Sequence, residues 1–137
     1  MDHLHVEIVA PDKRVFQGEA QSIRAPGVEG SFQVLVNHAP MIAAIEIGPI
    51  IVKTPAGEEI SFATSGGFVE VLNNVVTVLA ETVEPATEID LDRAREAEER
   101  ARQRLHESGA DRARAEEALE RARNRTRVAM GQVGAER

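Results

Sequence analysis

The sequence predicts a β-sandwich or barrel followed by an antiparallel α-helical hairpin, and three observations carry that prediction. Apolar residues recur with period two before Leu79 and with helical spacing after Ala94. Charge changes at the same seam: residues 1–87 hold 11 acidic and 4 basic side chains, whereas residues 88–137 hold 12 of each. Pro85 sits inside the seam, where a proline neither continues a central strand ladder nor extends a helix. The expected division is a β domain over residues 1–84, a linker over 85–89 and a helical arm over 90–137.

The strands follow in order. Leu4, Val6 and Ile8 alternate with His5 and Glu7, as in a strand with one buried face. Pro11-Asp12-Lys13 is a turn, and Val15-Phe16 and Ser22 to Ala25 read as short strands. Pro26-Gly27 and Gly30 bend the chain, after which Phe32, Val34 and Val36 alternate again. Asn37 to Pro40 is a loop in which Asn37 tolerates a left-handed backbone. Met41 to Ile47 reads as strand or buried loop, ended by Gly48-Pro49. Two hairpins follow: Ile50 to Thr54 with Glu58 to Thr64, and Gly67 to Leu72 with Val75 to Ala80. The second turns on Asn73-Asn74, a pair suited to positive φ at both positions.

In the arm, Thr87 to Asp90 fits a capping box and Asp90 is itself a candidate N-cap. Ala94, Ala97, Ala101 and Leu105 form one apolar line, and Ser108-Gly109 stops the helix. Asp111 can cap a second helix with the stripe Ala115, Ala118, Leu119, Ala122, Thr126 and Ala129; Gly131 and Gly134 suggest a frayed tail. Each helix is expected to run about 18–20 residues, or roughly 27–30 Å. Glu96–Arg100, Glu98–Arg102 and Glu117–Arg121 are i,i+4 pairs in the favourable order. The stripes are mostly alanine, whose methyl contributes about 0.8 kcal/mol on burial against about 1.5–3 for a leucine. The arm should therefore be helical yet weakly docked, and able to exchange between folded-down and extended arrangements.

Composition excludes several functions. Apolar residues at 42% suffice for a core, which aromatics at 3% make mostly aliphatic. With no cysteine there is neither a disulfide framework nor a thiolate metal site. A net charge of −7 opposes general nucleic-acid binding. No apolar run approaches the roughly 18 residues of a membrane span, and MDHLHVEIV lacks the basic start of a signal peptide. His3 and His5 share a strand face without a third ligand and read as exposed surface rather than a metal pair. Glu58-Glu59 beside a turn is a solvated edge, and Ser65-Gly66-Gly67 lacks the strand–turn–helix of a nucleophile elbow. His106, ending the first helix, suits the helix dipole. No Walker A pattern is present, so ATP hydrolysis by the chain itself is not expected.

Several stretches carry a family resemblance. They are Pro26-Gly27-x-x-Gly30, Val34-Leu35-x-Asn37-His38-Ala39-Pro40, Ser65 to Val71, Asn74-x-Val76-Thr77-Val78-Leu79-Ala80, and Ile89-Asp90-x-x-Arg93-Ala94. Over nearly the whole chain, in order, the sequence resembles the epsilon subunit of F-type ATP synthase. The resemblance implies a flattened β-sandwich of about ten strands plus the helical hairpin. It implies a non-catalytic rotor subunit on the cytoplasmic face of the bacterial cell membrane, with a plastid thylakoid origin as the lesser alternative. The sandwich would bind the gamma subunit and the c-ring, coupling proton flow to rotation. The extended arm would reach the alpha and beta subunits and resist ATP hydrolysis.

The resemblance also implies site residues. Contact to gamma or the c-ring falls on Gly30, Ser31, Phe32, His38, Ala39 and Pro40. Ser31, Gln33, Val36 and Asn37 depart from a common Glu-x-Gly and Pro-Gly pattern, so no acidic ring contact is available at position 31. No cofactor is required, but ATP is expected as a regulatory ligand at Glu84, Ile89, Asp90, Arg93, Arg121 and Arg125. Arginine forks suit phosphate oxygens, and Glu84 or Asp90 could accept from the adenine amino group or ribose. Surface ion pairing on an Arg/Glu-rich helix is the competing account of the same residues. The rival function is a free-standing ATP-binding sensor with no rotor partner. No nucleic acid and no direct membrane insertion are expected.

Overall fold

Ten strands precede the helices in a computed structural model that describes residues 2–107, 109 and 111–132. They are β1 (Leu4–Ala10), β2 (Lys13–Ala20), β3 (Ser22–Ala25), β4 (Phe32–Leu35), β5 (Met41–Ile45), β6 (Gly48–Lys53), β7 (Glu59–Thr64), β8 (Gly67–Leu72), β9 (Val75–Ala80) and β10 (Val83–Pro85). A single 3-10 turn (Ala86–Glu88) leads into α1 (Leu91–Arg104) and α2 (Arg112–Ala129). Ser108 and Gly134, assigned to a helix stop and a frayed tail, lie outside the described residues.

The strands form two five-stranded sheets, ordered β2-β1-β9-β8-β5 and β10-β7-β6-β3-β4. Inward side chains alternate as the sequence requires. Leu4, Val6, Ile8, Val69, Val71, Val76 and Val78 of the first sheet meet Ile23, Val34, Ile50, Val52 and Phe62 of the second. Phe16 and Phe62 pack edge to face with centroids 5.7 Å apart. The Asn73-Asn74 turn takes φ of 52° and 64°, and Asn37 takes 70°, so each expected left-handed asparagine is present.

The structure corrects four sequence expectations. β2 runs over eight residues rather than Val15-Phe16 alone, because Lys13, Arg14 and Glu19 are exposed faces of an edge strand. Met41–Ile45 is strand, the first of the two readings of that segment, and Gly48-Pro49 begins β6 instead of only ending the previous segment. β3 pairs with β6 only from Ile51 onward, so Pro49 interrupts no ladder on that side. Pro85 closes β10 opposite Phe62, on an edge where a missing N–H is tolerated. α1 has 14 residues and is capped at Leu105, shorter than expected; α2 has 18.

The arm lies folded down on the outer face of the second sheet. Ile51 and Ala63 face outward there and are buried with Ile89, Ala94 and Val128 in a small second core. Strand β6 is thus apolar on both faces, which explains the uninterrupted Ile50-Ile51-Val52 run.

Candidate functional site

Asp90 and Asp111 start the two arm helices. Each aspartate accepts from the backbone N–H three residues on, Arg93 and Arg114 respectively, at 3.1 Å. The helices then pack through alanines, and the small side chains leave a cleft between them and the sandwich. Ala97, Ala101, Ala118 and Ala122 floor this cleft of about 620 Å³. Arg100, Arg104, Arg121 and Arg125 rim it, together with Glu81, Glu84 and Glu117.

Three of the six ATP-site candidates meet here: Glu84, Arg121 and Arg125. Arg125 Nε donates to Glu84 Oε1 at 2.5 Å, and its NH2 group reaches Oε2 at 3.5 Å, tying α2 to β10. Arg121 pairs with Glu117 one turn earlier at 3.1 Å. Among the described residues, Arg100 and Arg104 make no ion pair. The other three candidates stand elsewhere. Ile89 is buried in the second core, Asp90 is occupied as a helix cap, and the Arg93 side chain is exposed. Arg100 and Arg104 were not among the sequence candidates. Their spacing from Ala97 and Ala101, three residues on in each case, is the signal that places them on the cleft side of α1.

The six contact candidates on the sandwich fall into two groups. Gly30 and Ser31 are exposed in the β3–β4 turn, with Phe32 half-buried behind them. His38, Ala39 and Pro40 lie in the β4–β5 loop, at the opposite end of the short strand β4. In that loop His38 Nδ1 donates to the Ala39 carbonyl at 2.7 Å, and Asn37 is clasped to the β8–β9 turn. Asn74 Oδ1 accepts from Asn37 N–H at 2.6 Å, while Asn74 Nδ2 donates to Asn37 Oδ1 at 3.2 Å. Among the described residues, no group of three or more metal-ligating side chains occurs, and no helix is long and apolar enough to cross a membrane.

Residues 3–86 match the family described as ATP synthase, Delta/Epsilon chain, beta-sandwich domain, and residues 87–130 match its long alpha-helix domain. An ATP synthase epsilon chain of Salinibacter ruber is 63% identical, covering 97% of this chain and 96% of that one. The chain belongs to the ATP synthase epsilon family. The epsilon chain of Brevibacillus brevis is 41% identical over 81% of this chain and 84% of its own. A chain of the Euglena gracilis mitochondrial ATP synthase, from its OSCP/F1/c-ring structure, superposes with a TM-score of 0.80 at 25% identity, covering 90% of this chain and 79% of that one. A chain of the Tetrahymena thermophila central stalk/c-ring shares the fold, with a TM-score of 0.57 at 16% identity over 93% of this chain and 94% of that one. As an epsilon-family member the chain is a non-catalytic stalk subunit.

This epsilon chain presents two unlike outer faces. The arm covers one. On the other, Phe68 stands opposite Leu79 and Leu72 opposite Val75, beside Ile42 of β5. These five side chains are between 40% and 73% exposed, in two apolar pairs on β8 and β9 separated by the row Ile42, Glu70 and Thr77, so the face is rich in exposed apolar side chains around one carboxylate.

Proposed function

We propose that this epsilon chain works in the central stalk of a proton-translocating ATP synthase, peripheral to the cytoplasmic face of a bacterial membrane. Its sandwich transmits rotation, and its arm restrains ATP hydrolysis. The observation that carries this reading is the contrast between the two outer faces of the sandwich. One is sealed by its own arm through a small interface, while the other exposes Ile42, Phe68, Leu72, Val75 and Leu79. A sheet face that keeps five large apolar side chains exposed around Glu70 suits a permanent partner, for which the gamma subunit is proposed, with the β3–β4 turn and the β4–β5 loop offered to gamma or the c-ring. A small, alanine-rich seam suits a part that leaves and returns, and in its extended state the arm would contact the alpha and beta subunits.

Co-purification with gamma tests the coupling half. Phe68→Glu together with Leu79→Glu should cut capture by gamma at least about tenfold, because charges would enter an apolar interface core. Removal of residues 88–137 should leave capture intact. Full capture by the double variant would remove this face from the account.

ATP is proposed as the ligand of the cleft between the arm helices and the sandwich. About 620 Å³ accommodates a nucleotide, and Arg100, Arg104, Arg121 and Arg125 offer guanidinium forks to a triphosphate. Glu84 accepts from the adenine amino group or ribose once Arg125 turns to phosphate. Calorimetry decides the matter: millimolar ATP should release heat, and Arg121→Ala or Arg125→Ala should weaken binding about tenfold. No heat from the unaltered chain would end the proposal.

A further inference from the structure

Asn124 is the one arm side chain that donates into the sandwich backbone among the described residues. It is 7% exposed, on a helix whose other deeply buried positions are Ala115, Leu119, Ala122 and Val128. Its Nδ2 donates to the Gly48 carbonyl at 2.8 Å and lies 3.4 Å from the Thr64 carbonyl. Gly48 and Thr64 are paired across β6 and β7, so both acceptors are held by the sheet ladder and cannot follow the helix if it shifts. Gly48 is itself fixed: a Cβ there would lie 2.5 Å from Pro26 Cβ.

We infer that Asn124 is a positioning residue that pins the register of the arm on the sandwich and thereby sets Arg121 and Arg125 over the cleft. A slide of α2 by one turn, about 5.4 Å, would bring Glu120 or Val128 to the two carbonyls. A carboxylate there would oppose two oxygens, and valine would offer them no donor. Neither alternative register supplies a donor at these carbonyls, so the Asn124 amide favours one arrangement of the seam. A buried asparagine fixes register in the same way in paired helices. Val128 against Ile51 and Ala63 and the Arg125–Glu84 pair also oppose a slide, but the pair is half-exposed and the apolar contact is non-directional, whereas the Asn124 amide meets two backbone acceptors fixed in the sheet. Only the statement about Arg121 and Arg125 rests on the proposed ATP site; the register itself does not.

The test uses the full chain without nucleotide. The sequence has no cysteine, so Lys53→Cys and Glu116→Cys, both exposed, introduce the only two spin-label positions. The docked chain should give one narrow distance distribution by pulsed electron paramagnetic resonance. Asn124→Asp is nearly isosteric but replaces the donor with an acceptor, and should shift the docked-to-released ratio at least about tenfold. Asn124→Ala removes the donor without repulsion and should shift it less. Amide protection of β1 and β9 reports that the sandwich is intact in each variant. An Asp variant indistinguishable from the parent, or an Ala variant released as much as the Asp variant, would overturn the inference. ATP calorimetry on the same proteins separates the two readings. Absence of heat from the parent chain defeats only the nucleotide site, while the distances still decide the register.

Discussion

At position 67 the backbone leaves no room for a side chain. Gly67 takes φ of 145°, and a Cβ would sit 2.0 Å from the Leu79 carbonyl oxygen, in the ladder that joins β8 to β9. Gly67→Ala should therefore destabilise the sandwich by roughly 3 kcal/mol, read as a lower urea midpoint. Asn74 carries a different constraint. Its φ of 64° is what the turn requires, and its side chain holds the loop that presents His38. Asn74→Gly keeps the backbone and deletes the clasp, so it should cost about 1–2 kcal/mol and speed amide exchange at Asn37 and His38. The left-handed asparagines were legible from sequence because asparagine next to asparagine or before histidine has few other uses. Asn124 was not legible. A polar residue in an Arg/Glu-rich helix reads as solvent-facing, and its acceptors are 76 and 60 residues away in the chain.

Elements were read best where local chemistry fixes them. Asp90 and Asp111 were expected as caps and are caps. Two of the three expected i,i+4 pairs form, Glu98–Arg102 at 2.9 Å and Glu117–Arg121 at 3.1 Å. Elements were misread where tertiary context overrides a local rule. Proline signalled a break, yet Pro49 and Pro85 sit in strands because no central ladder needs their N–H. The cleft was half legible: α2 supplied Arg121 and Arg125, but the α1 arginines needed the helix pairing to be assigned. Two predictions belong to this scale. Asp90→Ala should cost α1 about 1 kcal/mol, seen as faster exchange confined to the arm. Val128→Ala, which thins the seam against Ile51 and Ala63, should cost roughly 1–2 kcal/mol of docking while leaving the sandwich midpoint unchanged.

Across the whole molecule, the charge asymmetry and the apolar asymmetry coincide. The arm has balanced charge and docks beside an acidic sandwich without net repulsion. Among the described residues, its seam rests on Ile51, Ala63, Ile89, Ala94 and Val128, with one half-buried ion pair and one amide, whereas the sandwich is built on seventeen buried core residues. The arm should therefore open at lower free energy than the sandwich, which amide exchange would show as weaker protection of α1 and α2 than of β1 and β9. The most direct test is the ATP hydrolysis rate of an assembled ATP synthase carrying this chain with and without residues 88–137. The account predicts that removing the arm raises hydrolysis while gamma stays bound. Unchanged hydrolysis with gamma still bound would contradict it.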